Sequence, residues 1–170
     1  MVLKEMGGGQ EEPLAQISEL LQASKHGGKF VLMEDNVRYR TIQNLTKLAE
    51  QQKFKGGGID EESQVHTDLI EFAGKQITSD YGDRREESRT NDALIPLLGA
   101  VGSFAAGRIL AGMIANPNVF WGRGNNGDYN ASIQILPIAV RLSNEGKLDK
   151  STNLATLQNS ALTLSRMGRS

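Results

Sequence analysis

The chain contains no cysteine. Disulfides, zinc–thiolate sites and cysteine nucleophiles are therefore excluded, while the redox compartment stays open. It has no surplus of charge either: 19 Lys+Arg face 20 Asp+Glu, for a net charge of −1. A general nucleic-acid binder needs a basic excess to neutralise phosphates, so none is expected here, although a local basic patch is compatible with that balance. Apolar residues are also scarce. At 38% they fall below the usual 45–50%, even allowing for the omission of glycine from the count. A chain of 170 residues is long enough to bury a core, so the expectation is a lean core, or one completed by partners. The opening MVLKEMGGGQEEP has no apolar h-region, so a secretory signal peptide is not expected. The expected locations are a cytoplasmic assembly or a virion, with membrane association as the alternative. No G-x-S-x-G and no G-x-x-x-x-G-K occurs, which removes the common serine-hydrolase and P-loop signatures.

What the chain does have is one long apolar run, Ala93 to Ala115, ALIPLLGAVGSFAAGRILAGMIA, whose only charged residue is Arg108. Small residues recur at every fourth position: Gly99, Ser103, Gly107, Ala111 and Ala115. On one continuous helix that spacing makes a smooth ridge along which another backbone can approach closely. The length is near the roughly 20 residues that span a bilayer. Phe120 and Trp121, followed by Arg123, resemble an interfacial anchor at one end. Arg84, Arg85 and Arg89 flank the other. Against a membrane span stands Arg108, because an arginine at mid-span costs about 2.5–3.5 kcal/mol on insertion scales. The buried central helix of a bundle is the preferred reading, and the span is the alternative.

Elsewhere the pattern is helical. Residues 1–12 read as a flexible arm, because Gly7–Gly9 resist regular structure. From Pro13 the apolar positions Leu14, Ile17, Leu20 and Leu21 share one helical face, and Gly27-Gly28 read as its end. Lys29 to Met33 suit a brief strand or a linker. A second helix capped by Asp35 or Asn36 carries Tyr39, Ile42, Leu45 and Leu48, and Gly56–Gly58 stop it. A third, capped by Asp60 with Glu61 and Glu62 in its first turn, carries Val65, Leu69, Phe72, Ala73 and Ile77. Asn116-Pro117-Asn118 break the apolar run, and a Gly/Asn loop follows through Asp128. Ala131 to Leu142 read as a kinked helix with Ile133, Leu136 and Val140 on its face, although strand-like alternation is present and Pro137 falls inside it. A final helix over 151–167 places Leu154, Leu157, Ala161 and Leu164 at the 3-4-3 spacing of a short coiled-coil seam.

The chemically suggestive groupings each have a plainer reading. Glu62 and His66 sit four apart, as two ligands of one metal would on a helix, with Asp68 and Glu71 near. No second histidine is close, and a solvated helix surface explains them better. Glu34-Asp35 beside Tyr39 could supply a glycosidase-type carboxylate pair, but helix capping accounts for Asp35. Gly122, Gly124 and Gly127 space as G-x-G-x-x-G without the strand before and helix after that a dinucleotide site needs. Arg123 among them fits a surface turn. Arg84, Arg85 and Arg89 are balanced by Asp83, Glu86 and Glu87, as on a solvated charged face.

The sequence therefore predicts an all-α fold: a single helical domain over 13–170, with five or six helices around the apolar helix at 93–115. No catalytic residue, cofactor or metal is assigned. The expected role is non-enzymatic: self-association or docking into a larger protein assembly, with a viral or phage particle as the expected setting. The interaction residues are Gly99, Ser103, Gly107, Arg108, Ala111, Trp121, Leu154, Leu157 and Leu164. A membrane-inserting helical protein and a helical cell-wall glycosidase are the alternatives.

Overall fold

A computed structural model describes residues 2–30, 34–78, 84–115 and 126–149, with backbone alone for 2–11, 56, 78, 84, 85, 88, 115 and 126–133. The fold is mostly helical, as the periodicity predicts. The described elements run α1 (Val2–Ala23), β1 (Lys25–His26), β2 (Lys29–Phe30), α2 (Asp35–Gly56), α3 (Gln64–Thr78), α4 (Arg84–Val101), α5 (Phe104–Ala115) and α6 (Asn126–Asn144). The chain gathers into two compact units, 1–79 and 80–170. The boundary falls at the start of the mixed-charge stretch DYGDRREESRTND, where the sequence reading drew none.

In the first unit α1 packs against both α2 and α3. The apolar stripes supply the core: Ile17 and Leu21 from α1, Ile42, Leu45 and Ala49 from α2, and Leu69, Phe72 and Ala73 from α3. The helix α1 begins at Val2 and takes in Gly7–Gly9, where the sequence reading placed an arm through Glu12. Once a helix is nucleated each further residue adds a hydrogen bond at small cost, and the Leu14–Leu21 face supplies the nucleus.

The helix α1 ends at Ala23, four residues before Gly27-Gly28. Ser24 closes it by donating from Oγ to the Leu20 carbonyl at 2.8 Å. The two glycines instead turn a hairpin, with Lys25 opposite Phe30 and His26 opposite Lys29. Their φ angles of 61° and 77° are the positive pair that a two-residue type I′ turn requires. The hairpin delivers Phe30 to the core, edge-on to Phe72 with centroids 5.8 Å apart. The buried Gln76 amide donates to the Phe30 carbonyl at 3.0 Å.

Two helix starts differ from the sequence reading. Glu34, not Asp35 or Asn36, occupies the position before α2, and it makes no side-chain cap. The start of α3 is capped by Ser63, whose Oγ accepts from the His66 amide at 3.2 Å. Asp60 shapes the turn before it, accepting from the Glu62 amide at 3.0 Å, so Glu61 and Glu62 precede the helix rather than forming its first turn. The end of α2 matches the reading, with Gly57 left-handed at φ 81°.

In the second unit α4 packs against α5 and α6. The core here is Leu94, Ile95, Leu97 and Leu98 of α4, Ala106, Leu110, Met113 and Ile114 of α5, and Ile135, Ala139 and Leu142 of α6. The expectation of one helix through 93–115 is corrected: the run holds two helices, broken at Gly102-Ser103. Gly102 has φ 60°, and its amide donates to the Leu98 carbonyl at 2.9 Å, a left-handed C-terminal cap that glycine enters without steric cost. Ser103 then caps α5 by accepting from the Ala106 amide at 3.1 Å. Side-chain oxygens of this kind satisfy donors that a helix N-terminus leaves open. Among the described residues no helix is long and apolar enough to cross a membrane.

Candidate functional site

The interaction residues assigned from the sequence divide into three groups. Trp121, Leu154, Leu157 and Leu164 lie outside the described residues, as do Gly122, Arg123 and Gly124. Arg108 is exposed and Ala111 half-buried on α5. Gly99, Ser103 and Gly107 are buried, and each has a specific neighbour within the second unit. A Cβ on Gly99 would stand 3.1 Å from three atoms of the Ile138 side chain. A Cβ on Gly107 would overlap the Lys147 carbonyl oxygen. The close backbone approach expected of these small residues is thus made at Gly107 by the segment that follows α6.

That segment is placed by the end of α6. The Lys147 amide donates to the Leu142 carbonyl at 2.8 Å and the Gly146 amide to the Ser143 carbonyl at 3.0 Å. This is the paired bonding of a Schellman termination. It turns the chain so that Leu148 is buried and the Lys147 carbonyl rests on Gly107. From the same end of α6 the Arg141 guanidinium donates to the Gly99 carbonyl, one of the acceptors that the C-terminus of α4 leaves open. Arg141 also lies within 4.0 Å of Glu145.

The helix α6 was read with Ile133, Leu136 and Val140 as its face. The structure buries Ile135, Ala139 and Leu142 instead. Leu136 is half-buried, Pro137 is exposed and Val140 is 39% exposed. These residues, with Arg141, Asn144 and Glu145, line an open depression of about 550 Å³. The sequence signal was present, since apolar residues on α6 occupy more than one face. The spacing alone does not choose between them, because Leu136 and Val140 satisfy an i, i+4 spacing as well as Ile135 and Ala139 do. A second exposed apolar group, Phe104 at 52%, opens α5.

The polar groupings are accounted for locally. Asp35 pairs with Arg38 at 3.2 Å, and Arg38 is the largest fully buried side chain described. The Asp35 carboxylate is engaged in that pair, not held opposite the exposed Glu34 in a cleft. The reading of a solvated surface holds for Glu62 but not for His66, which is 5% exposed in the first turn of α3. Asp68 is also buried and accepts from the Gln64 amide at 3.0 Å. Among the described residues no three of His, Cys, Asp and Glu gather as a metal site would require. Arg89 is exposed on α4, and Gly127 falls within the first turn of α6. Comparison with known protein families, with curated proteins and with solved structures gives no match to the chain.

Proposed function

We propose that the chain is a non-enzymatic subunit that associates with copies of itself through the outward face of α6, as a component of a larger protein assembly such as a particle. The observation that carries this reading is the two-sided apolarity of α6. Ile135, Ala139 and Leu142 fill the core of the unit, while Leu136, Pro137 and Val140 remain around a depression open to solvent. Apolar surface left in such a depression gains by being covered, at about 25 cal/mol per Å² removed from water. A second copy suits this face, because a two-fold contact lays Leu136, Pro137 and Val140 of one copy on the same residues of the other, covering each patch with its own kind. The test is light scattering with and without mild detergent, comparing the natural chain with Val140→Glu. The natural chain is expected above monomer mass and the variant at monomer mass with unchanged helix content. A natural chain that is monomeric at tens of micromolar, or a variant that associates equally well, overturns the proposal.

A further inference from the structure

The solvent face of α2 is cationic and carries the most exposed aromatic side chain described. The helix has 22 residues, and its apolar face is spent on the core through Ile42, Leu45 and Ala49. On the opposite side Arg40, Gln43, Asn44, Lys47, Gln51, Phe54 and Lys55 are all exposed. At 3.6 residues per turn they fall within an arc of about 120°, and at 1.5 Å per residue Arg40 and Lys55 are about 22 Å apart along the axis. Phe54 is 92% exposed. Among the described residues no carboxylate lies within ion-pair distance of Arg40, Lys47 or Lys55. Glu50 is the one exposed acid on the helix, and it lies to the side of the arc.

Phe54 shares its arc with Arg40, Lys47 and Lys55, an aromatic face set among cations. From this stripe we infer that the first unit binds single-stranded nucleic acid along α2: Arg40, Lys47 and Lys55 meet phosphates, Phe54 stacks on an unpaired base, and Gln43, Asn44 and Gln51 supply hydrogen bonds between them. Charge complementarity selects a polyanion, and the chemistry of the remaining side chains selects this one. An aromatic platform among cations is the shared device of single-strand binders, because every base has a face on which to stack. Amide side chains both donate and accept, which fits phosphate oxygens and base edges. A helix lying on an anionic membrane buries a broad apolar face in the bilayer, whereas here that face is already inside the protein and Phe54 stands alone beyond it. The near-zero net charge is no obstacle to a local site, though it sets the expectation of weak, salt-sensitive binding.

The test is fluorescence anisotropy of a labelled 20-nucleotide oligothymidylate titrated with the full chain from 50 to 200 mM salt. Three phosphate contacts predict a slope of log K against log salt of about −2 for a single strand. The pair Lys47→Gln/Lys55→Gln should flatten the slope to about −0.7 and weaken binding roughly twenty-fold near 0.1 M salt. Phe54→Ala should weaken binding by roughly 5- to 160-fold while leaving the slope unchanged. All these positions are exposed, and helix content by circular dichroism checks that each variant is folded. The inference is overturned by absence of binding at 50 mM salt, or by indifference to Phe54→Ala. It is also overturned if phosphatidylserine vesicles or polyglutamate bind the chain more tightly than the oligonucleotide does.

Discussion

Gly107→Ala and Gly112→Ala form a matched pair on α5. Both place one methyl group on the same helix, and both gain the same propensity, up to about 1 kcal/mol for alanine over glycine. They differ in what the methyl meets. At Gly112 no atom lies within 4 Å of the new Cβ, whereas at Gly107 it overlaps the Lys147 carbonyl oxygen. Backbone has no rotamer to retreat into. Lys147 can withdraw only by disturbing its bond to Leu142, at 2.8 Å, or by drawing Leu148 out of the core, where it is 6% exposed. Overpacking of this kind typically costs about 1–3 kcal/mol, and full exposure of a leucine about 1.5–3 kcal/mol. The propensity gain cancels between the two variants, so their difference reads the steric cost alone, at about 1–3 kcal/mol. At roughly 2–4 °C per kcal/mol for a chain of this size, Gly107→Ala should melt at least 2 °C below Gly112→Ala. Thermal and urea unfolding followed by helical circular dichroism measures it. If Gly107→Ala stabilises the protein as much as Gly112→Ala does, the segment after α6 does not rest on α5 and the reasoning is wrong.

Three further outcomes follow from the same contacts. Gly99→Ala crowds Ile138 at 3.1 Å, so in a double-mutant cycle with Ile138→Ala the alanine at 99 should be better tolerated once the branched side chain is gone, with a coupling of about 1 kcal/mol; additivity within error refutes the contact. Ser103→Ala removes the cap of α5 and should cost about 1 kcal/mol in urea unfolding; no measurable cost would refute the cap. Asp35→Asn removes the charge paired with the fully buried Arg38 at 3.2 Å while keeping an acceptor oxygen, and should cost about 1–3 kcal/mol; no measurable cost in the same assay would refute a stabilising role for the pair.

Helix existence and the core stripes were legible because burial imposes a period. Ile17 and Leu21, Ile42 and Leu45, and Leu69, Phe72 and Ala73 lie where 3.6-residue spacing puts them. Punctuation was less legible, since one residue type serves several purposes. Gly27-Gly28 turn a hairpin four residues after α1 has ended at Ser24, yet in sequence they look like the helix stop itself. Asp60 and Ser63 are both good caps, and only the bond from the His66 amide to Ser63 shows which begins α3. The cationic stripe of α2 was missed because the sequence was judged by its net charge. A balance of 19 against 20 says nothing about a helix face on which Arg40, Lys47 and Lys55 stand without an ion-pair partner among the described residues.

The apolar run at 93–115 carries the larger lesson, because its length outweighed two residues inside it. Gly102-Ser103 is a stop followed by a start: a residue that enters the left-handed region freely, then one whose hydroxyl satisfies the next helix's open amides. Read that way, the run could neither span a membrane as one helix nor present one continuous ridge. Gly99 and Gly107, eight residues apart, would share a face of a single helix. Across the break they meet different neighbours, an isoleucine side chain of α6 and the backbone beyond its end. Both approaches bring α6 and the segment after it against the α4–α5 pair, and the Arg141 guanidinium closes the same junction on the Gly99 carbonyl. At Gly99 and Gly107, then, the small residues are consumed in building one unit. The apolar surface left for a partner has moved to Leu136, Pro137 and Val140, on a helix whose spacing had placed two of those three residues inside.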